Sequence, residues 1–355
     1  MPAFKEFTKE NVARLDPYVP GFQPDPNDHV LKLNANENAY GPSPRVLEAL
    51  RSHINGDLRL YPNSKAIDLR LKVAEVYGVK KDQVICANGS DEIISMIFRT
   101  FVPDGEVVQF TYPTYTYYKT QADIYDVPYR YLETGDDFLV DMDAYLENPT
   151  HLSFVSNPNS PTGTLLSAAS IEDCLKKYPG LLVVDEAYID FGGAKESAIP
   201  LIDKYPNLLV LRTFSKSFAL CGMRVGYAFG QSHLIAALDK TKDSYNIAHL
   251  NQIAAIAALD DYEYMLSSAR KIAEDREWFA SELAKIGFTL LPSLGNYVFV
   301  KHPKMEAETI YQNLLERRIL VRFFSQRRVS EYIRISIGTH DEMERVLAAI
   351  KELLA

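Results

Sequence analysis

The chain has 355 residues, of which 47% are hydrophobic and 24% charged, so it can bury a large core. Its formal net charge is −9 and its basic residues form no run, which argues against a nucleic-acid partner, because such binding needs clustered cations. The first eleven residues lack the apolar stretch of a secretion signal, and no window is long and apolar enough to span a membrane. We therefore predict a cytoplasmic protein with no membrane contact that binds small molecules.

The three cysteines do not indicate a metal site. Cys86, Cys174 and Cys221 are scattered without the close spacing of metal ligands or redox pairs, so we interpret them as small buried hydrophobic residues.

The chain divides into three predicted parts. Residues 1–30 contain Pro17, Pro20, Pro24 and Pro26 among polar residues and are predicted to form an extended arm that lies on a partner or on another part of the molecule. Residues 31–245 are predicted to form a large domain, in which short apolar runs alternate with segments of helical period. These runs are Val84–Ala87, Val107–Phe110, Leu152–Val155, Leu181–Val184, Leu208–Leu211 and Val225–Phe229. Apolar strands separated by helices indicate an α/β fold with a mostly parallel sheet that helices cover on both faces.

Residues 246–355 are predicted to form a small C-terminal α/β domain. A long helical stretch at 260–286 precedes a strand at 297–300, a helix at 307–317 and a strand at 332–337. The last helix is predicted to begin at Thr339, because Thr339 and Glu342 have the spacing of a capping box.

Polar residues follow three of the apolar runs, at the edge where an open parallel sheet binds its ligands. Asp185 and Tyr188 follow the run at 181–184, and Ser215 and Lys216 follow the run at 208–211. Lys216 alone is weak evidence, because a lysine in a polar loop is usually solvated.

The third turn contains Gly89, Ser90 and Asp91 and leads into a helix at 92–101. The free N–H groups and the dipole at a helix N-terminus favour an anion, so this turn is a candidate phosphate site. The alternative is that Ser90 or Asp91 only caps the helix.

These residues together supply the polar partners of an aldehyde-bearing pyridinium phosphate. Lys216 can form an imine, Asp185 can keep a ring nitrogen protonated, and Tyr188 can bond a ring hydroxyl. The phosphate can take the Gly89 and Ser90 amides together with Ser215 and Arg224. The combination predicts pyridoxal 5'-phosphate as the cofactor, and no metal.

The order of these pieces is similar to a known family. Asn157-Pro-Asn-Ser-Pro-Thr-Gly163, Asp185-Glu-Ala-Tyr188, and Ser215-Lys216 with Arg224 eight residues later resemble the fold-type-I pyridoxal-phosphate aminotransferases. Within that group, Leu33-Asn-Ala-Asn-Glu-Asn38, Gly41-Pro-Ser-Pro44 and Tyr61-Pro62 resemble the histidinol-phosphate aminotransferases. The resemblance runs from about Tyr18 to the C-terminus.

The resemblance implies a role for each matching residue. Lys216 would be the cofactor-linked lysine that also moves the substrate proton, Asp185 would pair with the pyridinium nitrogen, and Tyr188 would bond the phenolic oxygen. Tyr115 would stack on the ring, and its alternative is an ordinary half-buried aromatic residue. Tyr61 would reach the phosphate of the neighbouring subunit's cofactor, which implies a homodimer with shared active sites.

One position departs from the family pattern. The residue before Pro-Thr-Gly is usually an asparagine that bonds the cofactor's ring oxygen, but here it is Ser160. Either Ser160 makes that bond more weakly or Asn157 points into the site instead.

Three residues are implied to bind substrate. Arg334 matches the family arginine that holds a substrate carboxylate, and Tyr18 resembles a residue that closes over the substrate. Arg322 matches an arginine that binds the substrate phosphate in histidinol-phosphate enzymes, and its alternative is a solvated surface residue. A planar guanidinium suits both anions, so the same group can serve both half-reactions.

The implied activity is ping-pong transfer of an amino group between L-histidinol phosphate and 2-oxoglutarate in histidine biosynthesis, with glutamate as the other amino donor. The alternatives are an aromatic amino acid aminotransferase, a threonine-phosphate decarboxylase, or a pyridoxal-phosphate-containing regulator without catalysis. The match of Arg322 favours the first function, and the complete set of catalytic residues disfavours the last.

Overall fold

The structure is a computed structural model that describes residues 7–15, 23–25 and 28–354. The strands within these ranges are β1 (Leu31–Lys32), β2 (Val84–Ala87), β3 (Val108–Tyr112), β4 (Tyr129–Glu133), β5 (Leu152–Ser156), β6 (Leu181–Asp185), β7 (Leu208–Thr213), β8 (Gly226–Gly230), β9 (Thr289–Leu290), β10 (Tyr297–Lys301), β11 (Ile319–Leu320), β12 (Arg322–Phe323) and β13 (Ile333–Ser336).

The helices in the same ranges are α1 (Glu10–Ala13), α2 (Pro44–His53), α3 (Ile67–Tyr77), α4 (Ser90–Phe101), α5 (Tyr117–Ile124), α6 (Ala144–Glu147), α7 (Ala168–Leu175), α8 (Ser232–Thr241), α9 (His249–Asp260), α10 (Tyr262–Lys285), α11 (Ala307–Glu316) and α12 (His340–Leu354).

The central sheet has seven strands in the order β2-β8-β7-β6-β5-β3-β4. The pairs from β7 to β4 are parallel, whereas β8 is antiparallel to both of its neighbours. The predicted fold class, an α/β fold with a mostly parallel sheet, is therefore confirmed. Because β8 is antiparallel, its start lies at the same sheet edge as the carboxyl ends of β2, β6 and β7. Residues next to the start of β8 can therefore contribute to a site at that edge.

Helices cover both faces of this sheet. Along β6, Leu181 and Val183 pack in the cluster that contains residues of α4 and α8, whereas Leu182 and Val184 pack in the cluster with residues of α3 and α7. Alternate side chains of a strand point to opposite faces, so a strand buried on both faces needs a continuous apolar run. This is why these strands could be predicted from the sequence.

A second sheet has the antiparallel order β12-β13-β10-β9. Ile333 and Ile335 of β13 join the cluster that contains Val346 and Ile350 of α12. The capping box predicted for α12 is present, since the Thr339 N–H donates to Glu342 Oε2 at 2.8 Å and the Glu342 N–H donates to Thr339 Oγ1 at 3.4 Å. The division at residue 245 stays a prediction.

The predicted helix at 260–286 is confirmed as α10, whereas the preceding helix α9, which ends at Asp260, was not predicted. Two expectations differ from the structure. The arm is not wholly extended, since Glu10–Ala13 form a helical turn and Asn11 Nδ2 donates to the Ile124 carbonyl at the end of α5, at 2.9 Å. Cys86 and Cys174 are buried as predicted, but Cys221 is only half buried. Within the described residues no helix is of a length and hydropathy that would cross a membrane.

Candidate active site

Two neighbouring cavities open at the carboxyl edge of the central sheet. The first has a volume of about 140 Å³ and is lined mainly by residues that follow β2, β6 and β7. The second has a volume of about 240 Å³ and extends toward β12 and β13 of the second sheet. Four residues line both cavities, and we call them the junction residues: Tyr115, Ser160, Tyr188 and Lys216.

A buried carboxylate lies at one end of the first cavity. Asp185 is the last residue of β6 and is 4% exposed. Its oxygens accept hydrogen bonds from the Tyr118 hydroxyl at 2.8 Å and from the Ala187 N–H at 3.1 Å. Burial raises the pKa of Asp185 to about 6, because its charge has lost water and these two hydrogen bonds compensate only in part. A cationic group in the cavity would satisfy this carboxylate.

The other end of the first cavity is suited to an anion. Ser90 begins α4, and the preceding Gly89 has φ +86°, which a residue with a side chain rarely adopts. A Cβ atom at Gly89 would also lie 2.8 Å from Arg224 Nη2. Arg224 Nη1 donates to Ser215 Oγ at 3.4 Å, so a helix N-terminus, a hydroxyl and a guanidinium meet here.

Asp91 does not itself form the anion site but holds two of its neighbours. Asp91 Oδ2 pairs with Arg224 Nη2 at 3.2 Å, and Asp91 Oδ1 accepts from the Tyr115 hydroxyl at 3.0 Å. The anion cradle, formed by the N-terminus of α4, Ser215 and Arg224, also depends on Gly226. A Cβ atom at Gly226 would lie 2.3 Å from the Ser90 nitrogen. A larger residue at Gly226 would therefore displace the turn that leads into α4.

Lys216 lies between the two cavities. Its Nζ donates to the Ala35 carbonyl at 3.1 Å and lies 5.6 Å from the centre of the Tyr188 ring. The hydroxyl of the next residue, Ser217, donates to Asp190 Oδ2 at 2.6 Å. Asp190 belongs to a buried ion cluster in which Arg212 binds Glu186 at 2.8 Å and Asp190 at 2.7 Å. We call these three residues the Arg212 network.

The structure distinguishes the two candidates that the sequence left open. Ser160 lines both cavities, and its hydroxyl accepts from Arg334 Nη1 at 3.4 Å. The Asn157 amide turns toward the backbone of Leu166, where it accepts from the N–H at 2.8 Å and donates to the carbonyl at 3.2 Å. Because the Asn157 amide is bonded to the backbone of Leu166, Ser160 is the candidate that faces the cavities.

Two arginines lie side by side in the second cavity. Arg322 and Arg334 are directly opposite each other in the β12–β13 pairing, and both line the cavity. Like charges at such positions repel each other, so their pairing is typical of a site that receives an anion. Both guanidinium groups lie near the Phe324 ring, at 5.4 Å from its centre for Arg322 and 5.5 Å for Arg334. Arg334 Nη2 also donates to the Asn34 carbonyl at 3.1 Å.

Tyr61 is not brought to these cavities. Tyr61 is 81% exposed and stacks on Tyr245, with ring centres 4.5 Å apart. Tyr18 lies outside the described residues. Sequence reasoning missed Tyr118 and Phe324, which contact the site from the first turn of α5 and from just beyond β12, and it gave no role to Asn36 in the motif at 33–38.

The residues present fit an aromatic ligand that carries a cationic ring nitrogen, a ring hydroxyl and a phosphate. The carboxylate of Asp185 and the anion cradle at Ser90 and Arg224 line the same cavity, with Tyr188 and Lys216 also on its wall. This donor and acceptor set matches pyridoxal 5'-phosphate.

Comparisons with known proteins agree with this geometry. The family model described as aminotransferase class I and II matches residues 28–350. The chain is 42% identical to a histidinol-phosphate aminotransferase of Geotalea uraniireducens, over 97% of this chain and 99% of that protein. It is 44% identical to one of Syntrophus aciditrophicus, over 96% of both chains. A crystal structure of histidinol-phosphate aminotransferase from Sinorhizobium meliloti in complex with pyridoxal-5'-phosphate superimposes with a TM-score of 0.86 at 28% identity, covering 91% of this chain and 90% of that one.

Proposed function

The chain belongs to the aminotransferase class I and II family, and we propose that it transfers an amino group between L-histidinol phosphate and 2-oxoglutarate with pyridoxal 5'-phosphate as cofactor. The observation that carries the substrate assignment is the pair Arg322 and Arg334, opposed across two strands and facing the cavity next to Lys216. The names of the relatives support the same assignment.

The two arginines suit both substrates of the reaction. Histidinol phosphate carries a phosphate ester in the place of an amino acid's carboxylate, and a planar guanidinium can bind either anion through two parallel hydrogen bonds. Glutamate has a second carboxylate, which the neighbouring guanidinium can receive while Arg334 holds the first. Phe324 is close enough to both guanidinium groups for a favourable cation–aromatic contact with each.

The cofactor, when bound, supplies a protonated pyridine ring that withdraws electrons from the carbon that carries the amino group. Asp185 holds the proton on the ring nitrogen: with its pKa at about 6 it is ionised at neutral pH. Tyr188 and Ser160 would orient the ring oxygen, and the Gly89–Ser90 turn, Ser215 and Arg224 would hold the phosphate. Lys216 Nζ would carry the covalent attachment, and its location between the cavities would let it move a proton on the substrate carbon.

We propose a homodimer in which Tyr61 completes the partner's phosphate site. The segment around Tyr61 carries the exposed apolar side chains of Ile54, Leu58 and Leu60, which are 62%, 48% and 52% exposed. A cluster of exposed apolar residues is typical of a protein interface. Tyr61 is exposed and does not line either cavity of its own chain, in keeping with a role in a second copy. The cytoplasmic location stays a prediction.

The function is tested by supplying the purified protein and cofactor with 2-oxoglutarate and one of three amino donors: histidinol phosphate, phenylalanine or tyrosine. The measured quantity is kcat/KM for glutamate formation. We expect histidinol phosphate to be the preferred donor, because its phosphate offers the two arginines three acceptor oxygens and a charge of about −1.5 to −2, whereas the carboxylate of an aromatic donor offers two oxygens and a single charge. A preference for phenylalanine or tyrosine would instead assign the chain as an aromatic amino acid aminotransferase.

A further inference from the structure

Asn36 contacts the site from the loop 33–38, which joins β1 to the region of α2. The residue is 1% exposed and has φ 55°, a left-handed conformation that asparagine tolerates. Its Nδ2 lies 3.0 Å from the hydroxyl oxygen of Tyr188. The loop also reaches Lys216, whose Nζ bonds the Ala35 carbonyl and whose own carbonyl accepts from Asn38 Nδ2 at 3.0 Å.

The surrounding hydrogen bonds fix the orientation of the Asn36 amide. The backbone N–H of Asn36 donates to Ser336 Oγ at 2.9 Å, so the serine oxygen already accepts one proton. The single proton of the serine hydroxyl then goes to Asn36 Oδ1, at 3.0 Å. The amide nitrogen therefore faces Tyr188, and it can only donate.

We propose that Asn36 is a positioning residue for the cofactor, because its fixed N–H bond to the Tyr188 oxygen directs the Tyr188 hydroxyl proton into the cavity, toward the ring oxygen of the cofactor. This inference rests on the proposed function, since it needs a ring oxygen beside Tyr188. A hydroxyl that accepts one hydrogen bond also becomes a stronger donor in the next, so Asn36 strengthens the bond that Tyr188 makes.

The electrostatics of Tyr188 agree with this geometry. Burial is the largest effect on the pKa of Tyr188 and raises it, but the charges of Lys216 and Arg334 and the hydrogen bond from Asn36 outweigh burial and lower that pKa. Ser336 lies two residues after Arg334 on β13, so the strand that carries the substrate arginine also holds the amide in place.

The test is a pH titration of the visible absorption band of the cofactor-loaded enzyme. In Asn36→Asp the carboxylate accepts the Tyr188 proton and turns it away from the cofactor, which destabilises the ionised ring oxygen. We expect the midpoint of the titration to rise by about one pH unit, a tenfold change in proton affinity. Ser336→Ala frees the amide to rotate and should raise the midpoint by a smaller amount.

Two controls separate this role from simpler ones. Asn296 Nδ2 donates to the Asn36 carbonyl at 3.0 Å and holds the same loop without touching Tyr188, so Asn296→Ala should leave the midpoint unchanged. In a Tyr188→Phe background, Asn36→Asp should cause no further change. A midpoint that moves equally in that background would show a direct effect of the new charge and overturn the proposal.

The possible failures are distinguishable. If the wild-type band titrates normally and Asn36→Asp keeps the wild-type midpoint, Asn36 has no such role and the proposed function stands. A midpoint raised equally by Asn296→Ala would assign the effect to the position of the loop and would also overturn the proposal. If the loaded wild-type protein has no band attributable to a lysine-bound cofactor, the proposed function fails as well.

Discussion

Replacement of Arg322 by leucine should lower kcat/KM for histidinol phosphate and leave unphosphorylated histidinol almost unaffected. A charge-assisted hydrogen bond to an ionised group contributes about 1.5–3 kcal/mol, which corresponds to a loss of roughly 10- to 150-fold. Arg322 is half buried and Arg334 stays beside it, so the loss is expected near the lower end of this range.

The assay measures kcat/KM for histidinol phosphate, histidinol and glutamate in the wild type and the variant. Glutamate should also be weakened, because its distal carboxylate would lie near Arg322 while Arg334 continues to hold the first carboxylate. Arg322→Lys keeps the charge but loses the planar fork, so it should recover only part of the activity.

Arg327→Leu is the matched control. Arg327 is an exposed arginine of the same region that pairs with Glu133 and stacks on Tyr112, away from both cavities. Its removal should not change the preference between donors. If Arg322→Leu preserves the wild-type preference for histidinol phosphate over histidinol, Arg322 does not bind the phosphate, and the substrate assignment loses its main support.

Three further outcomes are expected. The folded-state pKa of Asp185 is raised from 3.8 to about 6, so its contribution to the stability of the cofactor-free protein is present below pH 4 and lost as pH rises to about 6, by on the order of 3 kcal/mol. Urea unfolding should therefore find Asp185→Asn more stable than the wild type at pH 7.5 and equal to it near pH 4. Equal stability at both pH values would refute the burial of an uncompensated charge. The turnover of the variant should be nearly abolished. Arg212→Leu leaves its two buried carboxylate partners unpaired and should lower the free energy of unfolding by about 3–5 kcal/mol, whereas a loss below 1 kcal/mol would contradict the structure of the Arg212 network. Mixing a Tyr61→Phe chain with a Lys216→Ala chain should restore activity at limiting cofactor, because one site of the mixed dimer is then intact. The recovery of activity after subunit exchange is measured by steady-state kinetics. An absence of recovery would argue against shared sites.

The strands of the central sheet could be predicted because burial on both faces demands continuous apolar runs, as in β6 and β7. The edge strand β4 was missed, since its residues Tyr129–Glu133 are only partly buried and carry no such run. Helix α9 was also not predicted, although α10 was predicted to within two residues at its start.

The candidate site was predictable where each residue follows a strand, as Asp185 and Lys216 do. The choice between Ser160 and Asn157 was not predictable, because it depends on which side chain the backbone of Leu166 engages. The role of Asn36 was hidden for a similar reason, since its partner Ser336 lies 300 residues away in the sequence.

We propose that Lys216, at the junction of the two cavities, carries the cofactor. Borohydride reduction of the cofactor-loaded protein, followed by proteolysis and mass spectrometry, tests this directly. We expect a phosphopyridoxyl group on Lys216 and no covalent label on the chain in Lys216→Ala. A label on a different lysine of the wild-type protein, or the same label in the variant, would contradict it.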